Sequence, residues 1–259
     1  MRILHVWAHP EPRSLNGSIA TAIQKTLTDL GHQVDTSDLY RMKWKPQLDQ
    51  DDFDVPDSAT AFHPEKTSRE AFLSGWQSAD IETEQRKLVQ CDALVLQFPL
   101  WWYSMPAIMK GWFERIYAYG FAYGVGEHSD THWGDRFGEG AMSGKRAMTV
   151  VTTGGWESHY SGRGVNGPIE DLLFPIHHGL LFYTGFDVLP PFLVHRTSKV
   201  DAECFDDLSH RLNRRLENLF TTPPIPYRPQ NGGDYTIPAL ELRDGFEPGH
   251  TGFGIHRTE

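Results

Sequence analysis

Three short stretches of this 259-residue sequence gather groups that can hold a ligand and do chemistry on it. Residues 9–18 (HPEPRSLNGS) place His9, Arg13, Ser14, Leu15, Asn16 and Ser18 just ahead of a helical run. A helix start presents unpaired N–H groups and the positive end of its dipole, which favours phosphate. The same residues also make an ordinary capped turn. Residues 98–106 (FPLWWYSMP) set Pro99, Leu100, Trp101, Trp102 and Tyr103 in one loop. Three adjacent aromatics cannot all enter one core, because neighbouring side chains point different ways. They can instead wall a flat aromatic ligand or form a hydrophobic dimer contact. Residues 152–160 (TTGGWESHY) bring Thr152, Thr153, Gly154 and Gly155 to the end of a buried apolar run. Paired glycines there allow a ligand close to the backbone, with amides turned outward.

The elements around these stretches place them at one edge. Residues 2–8 (RILHVWA) are a short, nearly continuous apolar run, as in a strand buried on both faces. Ile19, Ile23, Leu27 and Leu30 then recur at helical spacing before Gly31, a fitting C-cap. Residues 34–39, 91–98 (ended by Pro99), 147–153 and, interrupted by proline, 188–194 read as further strands. Helices are expected from Pro106 onward, with Ile108, Met109, Trp112, Phe113 and Ile116 on one face, and from Gly167-Pro168 toward Leu181. A last one carries Phe205, Leu208, Leu212, Leu216 and Leu219. Strand, loop and helix in alternation predict an α/β, doubly wound, five-stranded parallel sheet with helices on both faces. In such a sheet ligands bind outside the carboxyl ends of the strands, where all three stretches fall. Residues 41–80 read as a long polar excursion, and residues 221–259, rich in Pro and Gly, as a surface wrap of the same domain.

Composition narrows the function. Hydrophobic residues at 39% can bury a real core. A net charge of -10 disfavours non-specific binding to nucleic acid or anionic membranes. No apolar run approaches 18 residues and no signal-peptide core follows Met1, so the expectation is a cytoplasmic protein without membrane insertion. Neither GxGxxG nor a P-loop occurs, which argues against a Rossmann dinucleotide site and a P-loop ATPase. His128, Asp130 and His132 have ligand-like spacing but lack HExxH, and no metal is expected. His177 and His178 read as structural histidines, and Cys91 and Cys204 as inert packing residues.

One ligand would use all three loops. A flavin needs phosphate donors at one end and a slot for its tricyclic ring at the other, with donors near N1 and O2 to stabilise the reduced form. At this point the sequence resembles the NAD(P)H:quinone oxidoreductase (DT-diaphorase-like) family, in its bacterial type. The resemblance rests on AHPEPRSLNGS, QFPLWWYSMPAIMKGWFER, GFAYG, TTGGWESHYSGRGVNG, PIHHGLLFYTGFDVL and RLENLF, in that order over most of residues 1–220. It implies a flavodoxin-like fold, a homodimer, and FAD bound near the dimer interface. It also implies a hydride passed from NAD(P)H to flavin N5 and on to a quinone, by ping-pong kinetics. The alternative is an electron carrier, or a regulatory subunit of a partner such as a potassium-efflux system.

Position by position, the resemblance assigns His9, Ser14, Leu15 and Asn16 to the flavin phosphate and ribityl loop. Pro99, Leu100, Trp102 and Tyr103 fall in the ring cradle, with Trp101 beside the substrate. Thr152, Thr153, Gly154 and Gly155 fall at the pyrimidine end. Tyr160 matches a catalytic tyrosine near N1 and O2, and Tyr123 matches a substrate-pocket tyrosine. The chain also departs from the pattern. Val125 replaces a second pocket tyrosine, and Asn166 stands where mammalian members carry the histidine that partners the catalytic tyrosine. Asparagine cannot carry a proton near neutral pH, which leaves Tyr160 acting alone, with water, or with His159. Glu203 replaces an arginine at the adenine end, so FMN stands beside FAD as a candidate. Arg163, between Gly162 and Gly164, is a candidate for the phosphates of the nicotinamide nucleotide, NADH or NADPH.

Overall fold

The computed structural model describes residues 1–54 and 61–258. Its centre is a parallel sheet built from β1 (Arg2–Trp7), β2 (Gln33–Asp38), β3 (Ala93–Pro99), β4 (Arg146–Thr152), β5 (Asp187–Val188) and β6 (Phe192–Val194). The order is β2-β1-β3-β4-β5, with β6 also paired to β4. β5 and β6 are two pieces of one edge position, parted by Pro190-Pro191. Proline has no N–H to give the ladder, so it sits at a sheet edge. The expected five-stranded sheet is present. From β1 the chain first steps outward to β2 and then crosses back to β3, so β1 and β3 flank the point where the winding reverses. Ligands bind at that point in open α/β sheets.

Helices cover both faces, as expected. α1 (Leu15–Asp29) turns Ile19, Ile23 and Leu27 onto Ile3, Val95, Met148 and Val150. α2 (Pro64–Ser74) lies in the excursion before α3 (Ala79–Gln90). α3, α4 (Ala107–Ile116) and α5 (Ile169–Ile176) pack against Leu4, Leu94, Leu96 and Phe98 on the opposite face. α6 (Ala202–Glu217) returns to the first face through Leu208, Leu212 and Leu216. Each such side chain contributes about 1.5–3 kcal/mol by leaving water.

The excursion is more regular than its sequence suggests. Residues 41–80 hold all of α2 and the start of α3; residues 55–60 lie outside the described part. α3 escapes pattern reading because its inner face mixes Ile81 and Leu88 with Glu84 and Gln85. Glu84 and Gln85 each have partners, as low dielectric demands. Glu84 accepts from Ser37 Oγ (2.6 Å) and from Trp112 Nε1 (2.9 Å). Gln85 exchanges amide bonds with Gln77 at 2.8 and 3.0 Å. At the other end of the chain, Tyr227 joins the core beside Phe182 and His178. Arg228 pairs with Asp234 (2.7 Å) and Glu247 (3.1 Å).

Candidate active site

The loop after β1 folds tightly onto the start of α1. Ser14 is the N-cap, its Oγ accepting from Gly17 N (3.3 Å) and lying 2.9 Å from His9 Nδ1. A Cβ on Gly17 would sit 1.8 Å from the carbonyl oxygen of Pro12, so only glycine fits. Leu15 and Asn16 head the first helical turn, and their N–H groups take no partner among the described residues. The Asn16 side chain is turned inward, donating to Thr152 Oγ1 over 3.1 Å. The backbone carbonyl of Asn16 accepts from Gln97 Nε2 (2.6 Å), and Gln97 Oε1 meets His5 Nε2 at 3.1 Å. Beneath the loop, then, lies a buried polar chain that fixes it to β3 and β4. A cleft of about 890 Å3 opens beside it, with Trp7, Asp38 and Tyr40 on its walls.

The aromatic loop is a two-residue turn. Trp101 and Ser104 exchange backbone bonds of 2.9 and 3.0 Å. Trp102 (φ 50°) and Tyr103 (φ 63°) between them are left-handed. Asn and Gly normally fill such positions, and each bulky residue there costs about 1–3 kcal/mol. The strain turns aromatic groups outward: Trp102 is 96% exposed. Trp101 lies 6.0 Å from the His9 ring, and Tyr103 Oη donates to Asn166 Oδ1 (3.1 Å). Pro99 is buried as the last residue of β3, and Leu100 is half-buried.

The glycine loop continues from β4. A Cβ at Gly154 would meet nothing within 4 Å, whereas at Gly155 it would lie 3.0 Å from the Tyr160 ring and 3.1 Å from its hydroxyl. The loop is therefore open at Gly154 and covered by Tyr160 at Gly155. Gly154 N–H and Gly155 N–H, like those of Trp102 and Tyr103, have no partner among the described residues. Thr152 and Thr153 are buried. Asn166 N donates to the carbonyl of His159 (3.0 Å), closing the turn that contains Arg163.

A fourth rim segment, after β6, completes the site and was not singled out by spacing. Thr153 N donates to Val194 O (2.8 Å), Arg196 N to Gly155 O (3.0 Å) and Thr197 N to Thr153 O (3.2 Å). His195 Nδ1 lies 3.1 Å from Thr153 Oγ1, and its ring is 5.7 Å from that of Tyr160. Burial pushes the His195 imidazole below its usual range; Glu157 opposes that and Arg211 adds to it. The Arg196 guanidinium stacks 3.7 Å over Trp156. The signal was available: the segment ends a strand at the carboxyl rim, like the other three.

Other singled-out residues lie elsewhere. Tyr123 packs edge-on against Tyr119 (5.1 Å), and Val125 accepts a backbone bond from Asp135; among the described residues neither shares a hydrogen bond or ring contact with the rim loops. Glu203 is exposed in the first turn of α6, and His159 is half-buried. His128 packs edge-on against Trp133 at 5.0 Å rather than joining His132. Instead, His132, Asp135 and Glu139 bring their ligand atoms within 4.8 Å of one another. His177 meets Thr149 Oγ1 at 2.8 Å and His178 stacks on Phe137 and Phe174, both as structural histidines. Cys91 is buried, its thiol pushed up to about 11 by desolvation. Cys204 is exposed, so the packing role expected for it does not hold: the first turn of α6 faces solvent there.

Comparisons with known proteins agree with this geometry. Residues 1–216 match a family model described as Flavodoxin-like fold. The chain is 49% identical to a ribosyldihydronicotinamide dehydrogenase-like protein, traD, of Penicillium crustosum, covering 100% of this chain and 97% of that one. It is 34% identical to the NAD(P)H dehydrogenase (quinone) 1 of Cavia porcellus, covering 92% and 84%. A solved structure of a candidate quinone reductase from Klebsiella pneumoniae is 56% identical, with a TM-score of 0.98 over 100% of both chains.

Proposed function

The chain belongs to the flavodoxin-like fold family, among its NAD(P)H dehydrogenase (quinone) oxidoreductases, and from that membership we propose a flavin-dependent enzyme that carries two electrons from NAD(P)H to a quinone or similar electrophile. The observation that carries this reading is the set of unpartnered N–H groups on Leu15, Asn16, Trp102, Tyr103, Gly154 and Gly155 around the point of reversal. The donor set fits a flavin: helix-start amides and Ser14 suit phosphate, and loop amides suit the polar edge of a ring. The open side of Gly154 leaves room for that ring.

When bound, the flavin supplies reversible two-electron chemistry, accepting a hydride from a reduced nicotinamide and yielding it to a quinone. The chain's own residues prepare the site. Pro99, Leu100, Trp102 and Tyr103 form the cradle. The free N–H groups of Gly154 and Gly155 would direct fixed dipoles at the ring edge where negative charge gathers, with no reorganisation needed. Tyr160, held over Gly155, would offer its hydroxyl proton to the same edge. His9, Ser14, Leu15 and Asn16 anchor the phosphate. Thr152 and Thr153 hold the glycine loop from below. Asn166 orients Tyr103.

The substrate pocket is proposed to be completed in a homodimer. Trp101 packs by the His9 ring, whereas Tyr123 and Val125, held by Tyr119 and Asp135, would come from the partner. The outward Trp102, Trp156 and Val165 give a rim suited to such contact. Among the described residues no helix is long and apolar enough to cross a membrane, in keeping with a proposed cytoplasmic location. No nucleic-acid partner is proposed for a chain of net charge -10. FAD is the proposed flavin and FMN its alternative, since the resemblance puts Glu203 where the family carries an arginine at the adenine end.

Denaturing the purified protein and separating the released pigment tests the reading and distinguishes the two flavins. Oxidation of NADH and NADPH against a quinone panel then tests the activity. A flavin-loaded protein that turns over no quinone supports an electron carrier instead. A colourless protein that takes up neither FAD nor FMN ends the proposal.

A further inference from the structure

We propose that His195 is a positioning residue that binds a proton on behalf of Tyr160: Thr153 orients its ring, and its protonation puts a positive charge beside the Tyr160 hydroxyl and the flavin edge. This rests on the flavin reading above. The family pattern gives the tyrosine a histidine partner at the position of Asn166, but here Asn166 is bonded to Tyr103. His195 comes from a different strand end, its ring 5.7 Å from that of Tyr160.

The geometry leaves His195 little freedom. Thr153 is buried, and its backbone is held by Val194 and Thr197, so its hydroxyl has a fixed origin. That hydroxyl lies 3.1 Å from His195 Nδ1 and 3.5 Å from the carbonyl of Gly155. With the imidazole neutral and its proton on Nε2, the hydroxyl donates to Nδ1. When the imidazole takes a second proton from solvent, Nδ1–H donates to Oγ1 and the hydroxyl turns to Gly155 O. The imidazole ring, tilted 31° from that of Tyr160, then carries a full charge at 5.7 Å. A cation there strengthens the Tyr160 hydroxyl as a donor and favours an electron-rich ligand.

The charged groups that face His195 are Glu157 from the glycine loop and Arg211 from α6. Arg196, its chain neighbour, is held over Trp156. Burial makes the neutral form the resting one near neutrality, so the effect belongs to mildly acidic conditions.

The test is the midpoint potential of the bound flavin followed from about pH 8 to about pH 4.5, spanning the imidazole range. Wild type is expected to show a break in slope as pH falls through the His195 titration, the potential rising more steeply below it. His195→Gln is expected to match wild type near pH 8 and to lose the break. His195→Phe keeps a ring against Tyr160 without a proton site and is expected to lose it too. Thr153→Val, which releases the imidazole, is expected to shift the break. An NMR titration of the His195 ring in the flavin-free protein supplies an independent midpoint. A wild type without a break, or variants that retain it or shift the potential equally at every pH, overturns the proposal. Failure of wild type to bind FAD or FMN overturns the flavin reading instead.

Discussion

The Tyr103 hydroxyl donates to Asn166 Oδ1 across 3.1 Å, joining two loops that are 63 residues apart in sequence. One loop carries the strained aromatic turn, the other leads on from Tyr160. The bond closes the site's outer edge with a residue that cannot titrate near neutrality.

Asn166→His should therefore add a titration that wild type lacks. Stopped-flow flavin reduction by NADH is expected to gain an inflection near about pH 6.5, the ordinary imidazole value. The same curve with no new inflection would remove this position from proton handling.

Tyr160→Phe deletes one hydroxyl and keeps the ring that covers Gly155. Flavin reduction is expected to slow by about a hundredfold to a thousandfold, the usual cost of one charge-stabilising donor. Flavin affinity should change by less than about tenfold, because a single neutral bond is worth about 1 kcal/mol. An unchanged reduction rate excludes Tyr160 from the chemistry.

Two glycines should respond in opposite ways. Gly154→Val places its Cβ where no atom beyond the chain neighbours lies within 4 Å, so thermal stability should hold while flavin retention is lost. Gly17→Ala drives a Cβ onto the Pro12 carbonyl at 1.8 Å. It should destabilise the fold by about 2–4 kcal/mol, as steric clashes at fixed backbone do. Melting curves with and without added flavin separate the two effects; a yellow, stable Gly154→Val protein would refute the open-rim picture.

Stability should fall in acid through two buried histidines. His5 is held down to about 4 and His177 to about 3, both chiefly by desolvation. Between the unfolded value of about 6.5 and those folded values, the unfolded chain binds more protons than the native one. This contribution is whole above about pH 6.5 and lost as pH drops toward the folded values. Denaturant midpoints at about pH 7 and about pH 4.5 should differ, and His177→Gln should narrow the difference. Equal pH sensitivity in that variant would point to other groups.

Much of the fold is legible in the sequence because burial on two faces leaves short, continuous apolar runs. Residues 2–8 and 147–153 announce β1 and β4 in that way, and Ile19, Ile23 and Leu27 announce α1. α3 is hidden because Glu84 and Gln85 face inward, stabilised by partners from β2, α4 and the segment before α3 that no local pattern reveals.

The sequence by itself determined which loops reach the carboxyl rim, since strand ends and helix starts follow from hydrophobic period and turn residues alone. Tertiary structure decided what each residue there does. Asn16 turns inward to Thr152 and Asn166 outward to Tyr103, while His195 arrives beside Tyr160 from an edge strand. Hydrogen bonds between distant segments depend on how strands are ordered side by side, and residue type and spacing do not encode that order locally.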